Sequence, residues 1–145
     1  MKTIPGGLSL DDRGRLIFIN EFDPTAEGIH RFYVVENHRA GFIRAWHAHK
    51  YEAKFVTALR GTALIGIVPV ADLNDPNPMS DPETVILSAD KPQVVYIPPK
   101  HANGAKTLTD GCILQYFSTA TLDESEGDDT RYPWNFWDPW GEDYR

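Results

Sequence analysis

Short β-forming runs alternate with turn-forming residues along almost the whole chain, and this pattern most limits how it can fold. The runs are rich in Val, Ile, Phe, Tyr and Thr, most are bounded by Gly, Pro, Asn or Asp, and none carries a convincing helical period. We predict strands at residues 15–19, 29–36, 42–49, 54–60, 62–68, 84–87, 93–97 and 111–118. So many short strands within 145 residues favour one all-β domain over residues 1–145, an antiparallel sandwich or small barrel such as a jelly roll.

Three features interrupt this pattern of strands: a predicted turn, a predicted loop and the C-terminal segment. Gly61 predicts a tight turn or bulge between two apolar runs. Residues 69–82 hold four prolines and three aspartates, which favours a long loop. Residues 123–145, the C-terminal segment, hold eight acidic residues, two arginines and three of the chain's four tryptophans. Because disordered acidic tails are poor in aromatic residues, we expect this segment to pack its rings on the barrel or on a partner subunit, with its carboxylates in water.

Composition and charge exclude several classes of protein. Most of the formal charge of −7 falls in the C-terminal segment, and the chain has no basic cluster suited to nucleic acid. No apolar run approaches the roughly 20 residues of a membrane-spanning helix, and no signal-peptide core follows the N-terminus. The single cysteine, Cys112, excludes an internal disulfide framework and a thiolate-rich zinc site. We expect a cytoplasmic protein that binds neither nucleic acid nor a membrane.

The densest run of chemically active side chains is RAWHAHK, at residues 44–50. Side chains two apart on a strand share a face, so His47 and His49 are expected to project together. Two adjacent imidazoles are typical of a metal site or of acid–base catalysis, although they can also simply form hydrogen bonds on a sheet surface. The segment is the first candidate for a functional site.

This HxH pair resembles the first motif of the metal-binding cupins, but two of their four ligand positions are replaced. Lys54 stands seven residues before Gly61, where those cupins carry a glutamate, and Asn103 stands where they carry a second-motif histidine. An ammonium group at that point would repel a divalent cation. We therefore predict a cupin-type double-stranded β-helix (jelly-roll barrel) with no metal and no cofactor. A metal-dependent cupin that uses Glu52 or His101 from shifted positions stays the alternative.

The same residues are suited to moving protons. His47 is a competent base near neutral pH, since a histidine's ordinary pKa is about 6.5. Lys54 can stabilise a developing enolate, as a metal does elsewhere. Tyr116 can give a proton to the opposite face of a carbanion, although on strand statistics alone it would be an ordinary packed residue. Together these side chains predict proton transfer next to a carbonyl group.

The chain resembles the dTDP-4-dehydrorhamnose 3,5-epimerases and the related 3,4-ketoisomerases. The similar segments, in order, are DDRG (11–14), ENH (36–38), RAWH (44–47), KFVTALRG (54–61), IPPKHANG (97–104), Tyr116 and YPWNFWDP (132–139). The resemblance implies a metal-free isomerase that acts on a dTDP- or GDP-linked 4-keto-6-deoxy sugar in deoxysugar or polysaccharide biosynthesis. It also implies a homodimer with exchanged N-terminal strands.

The resemblance assigns a role to each matching residue. It makes His47 the base, Tyr116 the proton donor and Lys54 the group that holds the enolate. It gives Arg44 a contact to the substrate, and Arg13 a contact to the diphosphate across the dimer interface. Because an ideal strand would point Arg44 and His47 to opposite faces, a bulge or a rim position is expected.

Several positions depart from the epimerase pattern. Asn103 replaces a histidine of that family, and His101 stands two residues earlier. The HAHK run is closer to the 3,4-ketoisomerases, in which both histidines take part, so His49 joins the catalytic candidates. We expect Asn103, His101 and Lys106 to bind substrate, and Trp46 or a tryptophan of the C-terminal segment to stack on it. The resemblance further implies that the chain lacks the aspartate that supports the epimerases' base.

Two other functions stay open beside the epimerase. A 3,4-ketoisomerase would move the ketone, because both histidines would shuttle protons on one face. A non-catalytic cupin would bind the sugar without exchanging its protons. The product's keto position and the uptake of solvent deuterium distinguish the three.

Overall fold

The computed structural model describes residues 1–141, which are nearly all β. The strands are β1 (Lys2–Pro5), β2 (Gly7–Asp11), β3 (Gly14–Phe18), β4 (Arg31–Glu36), β5 (Ile43–Ala48), β6 (Lys54–Arg60), β7 (Thr62–Pro69), β8 (Glu83–Ser88), β9 (Gln93–Ile97), β10 (His101–Thr107), β11 (Ile113–Ser118) and β12 (Thr130–Arg131). One short helix, α1 (Leu122–Glu126), lies among the described residues, and no helix there is long and apolar enough to cross a membrane. The all-β prediction is confirmed.

The strands form two five-stranded antiparallel sheets and one separate hairpin. The first sheet has the order β1-β9-β6-β11-β4, the second has the order β12-β5-β10-β7-β8, and β2 pairs only with β3. Neighbours in each sheet are mostly distant in sequence, as in a jelly roll. Gly61 makes the turn between β6 and β7 with a φ of 73°, a conformation that favours glycine. The predicted loop at 69–82 lies between β7 and β8.

Four strands and the helix were not predicted from the sequence: β1, β2, β10, β12 and α1. The most important of these is β10, which reads HANGAKT and has little intrinsic preference for a strand. It becomes a central strand because small residues are required there. A Cβ at Gly104 would collide with the side chain of Ala45 on the neighbouring strand and with the ring of Trp140.

The main core fills the space between the two sheets. Val56 and Leu114 of the first sheet and Ile65 of the second are at most 2% exposed and belong to one continuous cluster of packed side chains. Burial of side chains of this size contributes about 1.5–3 kcal/mol each. Alternation along each strand thus fixes which residues face the interior, and the functional site lies in the same space.

The C-terminal segment covers the opposite face of the second sheet. Trp137 and Trp140 pack there against Trp46, with ring centroids 5.5 and 5.0 Å from it. The Trp46 indole N–H donates to the backbone oxygens of Trp134 and Trp137, both at 3.1 Å. Residues 142–145 of the predicted segment lie outside the described residues. The part that the structure describes therefore buries two of its three tryptophans on the barrel.

Candidate active site

A cavity of about 200 Å³ opens between the two sheets and gathers half of the predicted site residues. Five residues named from the sequence line it: Arg44, His47, Lys54, Asn103 and Tyr116. Five others were not anticipated as site residues: Tyr33, Val35, Asn37, Ala105 and Leu114. The strand pattern could not have selected these five, because nothing local separates them from ordinary wall residues of a barrel.

Strand register places the key side chains on facing walls. His47 belongs to β5 of the second sheet, whereas Lys54 of β6 and Tyr116 of β11 belong to the first. Tyr116 pairs with Val56, which lies two residues after Lys54, so both side chains share the inward face. A molecule in the cavity would therefore lie between the imidazole on one side and the phenol and ammonium on the other.

A bulge brings Arg44 onto the same side of the sheet as His47. Asn103 of β10 pairs with His47, and Ala105 pairs with Arg44, so three residue steps on β5 face two on β10. The extra residue reverses the alternation, which confirms the bulge expected from the sequence. Arg44 Nε donates to Asn37 Oδ1 at 2.8 Å, which fixes the guanidinium at the cavity wall.

His47 has a carboxylate partner that the sequence comparison had implied was missing. Its Nδ1 lies 3.2 Å from Asp129 Oδ1, and Arg131 Nε donates to Asp129 Oδ2 at 2.7 Å. Burial opposes ionisation of Asp129, but the hydrogen bonds from Arg131 and His47 outweigh it and lower the pKa of this carboxyl. The expectation that the chain lacks the supporting aspartate was wrong. Asp129 also contradicts the expectation that the acids of the C-terminal segment lie in water.

The C-terminal segment is fixed beside His47 by main-chain contacts. Strand β12 adds to the edge of β5, with Thr130 opposite Ala48 and Arg131 opposite His47. Just before it, the carboxylate of Asp128 accepts from the backbone N–H groups of residues 50–52, at 2.8 to 3.3 Å. These contacts hold Asp129 within reach of the imidazole.

Behind His47 lies a second group of buried ionisable side chains. His49 Nε2 is 2.9 Å from Lys54 Nζ and 3.8 Å from Asp129 Oδ1. Burial and the nearby Lys54 lower the pKa of His49, and burial lowers the pKa of Lys54 although Glu52 and Asp129 oppose this. The expectation that the two histidines project together is met, since both reach the same oxygen of Asp129.

Tyr116 stacks on a second tyrosine across the strand pair. Tyr33 lies directly opposite it on β4, with ring centroids 5.1 Å apart and planes within 5° of parallel. Burial raises the pKa of both phenols well above their ordinary value. Tyr116 is therefore a phenol rather than a phenolate at neutral pH, which is the form that donates a proton.

Four of the residues expected to bind substrate lie away from the cavity. Arg13 is exposed at the tip of the β2–β3 hairpin, paired with Asp11, and His101 turns its Nδ1 to the backbone oxygen of Pro99 at 2.9 Å. Trp46 is fully buried on the opposite face of β5, and Lys106 donates to the Trp140 backbone oxygen on that same face. Stacking on Trp46 was wrong, because neither side of its ring is accessible. The expectation that Lys106 contacts the substrate was also wrong, because strand alternation turns this side chain away from the cavity.

No group of three or more His, Cys, Asp or Glu side chains within residues 1–141 is arranged to hold a metal ion. Lys54 and Asn103, the two positions at which the sequence departs from the motifs of the metal-binding cupins, both line the cavity. Asn103 Nδ2 donates to the backbone oxygen of His47 at 2.8 Å, so it positions the imidazole's strand.

Solved structures with the same fold include epimerases and ketoisomerases of nucleotide sugars. The dTDP-4-dehydrorhamnose 3,5-epimerase of Bacillus anthracis, with TDP and PPi bound, is 23% identical, with a TM-score of 0.75 over 95% of this chain and 83% of that one. ChmJ, a 3'-monoepimerase of Streptomyces bikiniensis in complex with dTDP-quinovose, is 19% identical, with a TM-score of 0.77 over 99% and 76%. A 3,4-ketoisomerase of Helicobacter canadensis is 19% identical, with a TM-score of 0.69 over 93% and 92%. These likenesses establish the cupin jelly-roll fold.

Sequence comparison adds the family. A search of curated proteins found no significant match. A family model described as dTDP-4-dehydrorhamnose 3,5-epimerase matches residues 10–135, a range that includes every residue lining the cavity and also Asp129. The chain therefore belongs to the dTDP-4-dehydrorhamnose 3,5-epimerase family.

Proposed function

We propose that this protein epimerises a dTDP- or GDP-linked 4-keto-6-deoxy sugar at a carbon next to the ketone. The observation that carries the proposal is the placement of His47 and Tyr116 on facing sheets of one cavity. Inversion requires a proton to leave one face of a carbon and return to the other, and this arrangement provides a base and an acid on two opposed walls.

The reaction would use each side chain in a defined protonation state. His47 donates its Nδ1–H to Asp129, which leaves Nε2 to take the proton from the sugar carbon. Asp129 stabilises the imidazolium that forms, and the electron pair moves onto the ketone oxygen to give an enolate beside Lys54. Tyr116 then returns a proton to the carbon from the opposite wall, and its proton is replaced from solvent.

The nucleotide diphosphate requires cations, and two arginines lie in or beside the cavity. Arg44 lies on its wall, and Arg131 lines an adjoining open pocket that shares Tyr33, His47 and Lys54 with it. Guanidinium groups bind phosphate oxygens in bidentate fashion, which suits this role.

We extend the proposal to a homodimer in which Arg13 reaches the partner's cavity. The β2–β3 hairpin forms a sheet of its own, and its Leu10 and Leu16 are 74% and 64% exposed. Exposed apolar side chains on a lone hairpin are typical of an interface. If a second copy covers them, sedimentation should give a dimer, and Arg13→Met should raise KM for the sugar nucleotide.

Deuterium uptake tests the function directly. Incubation with a dTDP- or GDP-linked 4-keto-6-deoxyhexose in D2O should place deuterium at C3, C5 or both, read by NMR. Tyr116→Phe should still exchange the proton through His47 but lose inversion, so that labelled substrate of unchanged configuration accumulates. No exchange with any such sugar, at enzyme concentrations near that of the substrate, would reject catalysis, and binding without exchange would indicate a sugar-binding cupin.

A 3,4-ketoisomerase is the second candidate. The observation that favours it is that His47 and His49 approach the same Asp129 oxygen, at 3.2 and 3.8 Å, as a pair of bases on one face would. The Lys54 ammonium, however, occupies the Nε2 side of His49. The keto position of the product, assigned by NMR, separates a migrated ketone from an inverted centre.

A further inference from the structure

Glu52 is a fully buried carboxylate to which the proposed reaction gives no direct role. Its side chain has no exposed surface. One oxygen accepts from Ser118 Oγ at 2.6 Å and from Arg31 Nη2 at 3.3 Å, and the other accepts from Ser125 Oγ at 2.6 Å. All three contacts present a donor to a carboxylate oxygen.

The two ring nitrogens of His49 connect Glu52 to Lys54. An ammonium group has donors and no acceptor, so with Lys54 protonated His49 Nε2 must accept across their 2.9 Å contact. The proton of the neutral imidazole then lies on Nδ1. This nitrogen is fully buried and forms no hydrogen bond to any residue in 1–141, but Glu52 Oε2 lies 3.1 Å from it. A buried N–H needs such an acceptor nearby.

We propose that Glu52 is a positioning residue: its charge holds His49 in the Nδ1–H tautomer and thereby keeps the protonated amine of Lys54 directed at the cavity. The catalytic consequence rests on the proposed function, but the tautomer does not. In this arrangement His49 is a support for Lys54 and not a second base.

The charges around this pair explain why one carboxylate matters so much. Lys54 faces two anions, Glu52 and Asp129, and one cation, Arg31. His49 faces Glu52 and Asp129, with a smaller effect from Asp128, and it faces Lys54 as a cation. Removing the charge of Glu52 would leave burial and Arg31 opposed by Asp129 alone. Lys54 would then lose its proton at a lower pH.

The first test is the tautomer, measured by ¹⁵N chemical shifts of labelled histidine at neutral pH. In the wild-type protein His49 should show a protonated Nδ1 and a bare Nε2. In Glu52→Gln His49 should change to the Nε2–H tautomer once the pH is raised far enough for Lys54 to lose its proton, because the neutral amine can then accept a hydrogen bond. Ser125→Ala is the matched control, because it removes a hydrogen bond from Glu52 without removing the charge, and the Nδ1–H form should persist.

The second test is the pH profile of deuterium exchange. If Lys54 must be protonated, the rate falls on the alkaline side, and Glu52→Gln should shift that fall to lower pH by about one pH unit. On the alkaline limb kcat should fall by up to about tenfold relative to the wild type and should recover toward lower pH, with KM changed less than about threefold. Glu52→Asp, which keeps the charge, should restore part of the wild-type profile.

The two tests fail separately. An Nε2–H tautomer of His49 in the wild-type protein would overturn the proposal even if Glu52→Gln does not fold. An unchanged alkaline limb in a folded Glu52→Gln enzyme would also overturn it. A wild-type protein with the expected tautomer but no exchange with any nucleotide sugar would reject the proposed function alone, because the role of Glu52 on His49 would stand.

Discussion

The two faces of strand β5 have different roles, one in the candidate active site and the other in packing. The inward face presents His47 to the cavity, whereas the outward face buries Trp46 under the C-terminal segment. The two faces are nevertheless coupled, because the segment that Trp46 anchors also supplies Asp129 to His47. The acidic, aromatic C-terminal segment is therefore part of the site, because it packs on the outward face and supplies Asp129 to His47.

The largest effect is expected on the inward face. His47→Asn should lower the rate of deuterium exchange by about 10³- to 10⁴-fold, because it removes the base. The side chain is 37% exposed, so the loss of stability should be small. Exchange kinetics and thermal unfolding of the same sample check both. Retention of more than a tenth of the wild-type rate would reject the assignment of the base.

The sequence predicted some parts of these two faces and not others, because local sequence patterns determine some positions and tertiary contacts determine the rest. Strands β6 and β9 match their predicted bounds because their residues are buried apolar runs with local signals. The catalytic roles of His47, Lys54 and Tyr116 were predicted from their chemistry together with the family resemblance. Asp129 was not predicted as a site residue, because its position depends on tertiary contacts. These are the packing of the tryptophans and the hydrogen bonds that Asp128 accepts from the backbone of residues 50–52. Strand β10 was not predicted because its small residues have little intrinsic preference for a strand. They are required there only by close packing against neighbouring residues.

On the outward face the main effect should be on stability. Trp137→Ala removes a ring that is 2% exposed, with an indole N–H that donates to Asn77 O at 2.9 Å, and should cost about 3–5 kcal/mol of unfolding free energy. Trp134→Ala is the matched control: this ring is 50% exposed, so the change should be within about 0.5 kcal/mol. Denaturant unfolding measures both, and equal losses would contradict this view of the segment.

The next prediction concerns the residue that joins the two faces. Asp129→Asn should lower kcat by about 100-fold, because the amide cannot stabilise the imidazolium and can favour the wrong tautomer of His47. KM should change less than kcat, because Asp129 touches the proposed diphosphate site only through its hydrogen bond with Arg131. The pKa of Asp129 is lowered from the ordinary value of an aspartate, so Asp129 should keep its charge, and its effect on kcat, to a lower pH than an ordinary carboxylate would. A kcat within threefold of the wild type would show that the contact with His47 is not used.

The smallest effect should come from Lys106, and it tests whether strand alternation correctly excludes this cation from the site. Lys106→Met should leave KM for the sugar nucleotide within about twofold, because the ammonium group lies under Trp140 on the outward face of β10. Arg44→Met, on the cavity wall, should raise KM by about 10- to 100-fold if the guanidinium binds the anionic substrate. Steady-state kinetics of both variants give the comparison. Similar increases in KM would mean that a substrate can reach the outward face, and the separation of the two faces of the second sheet would then fail.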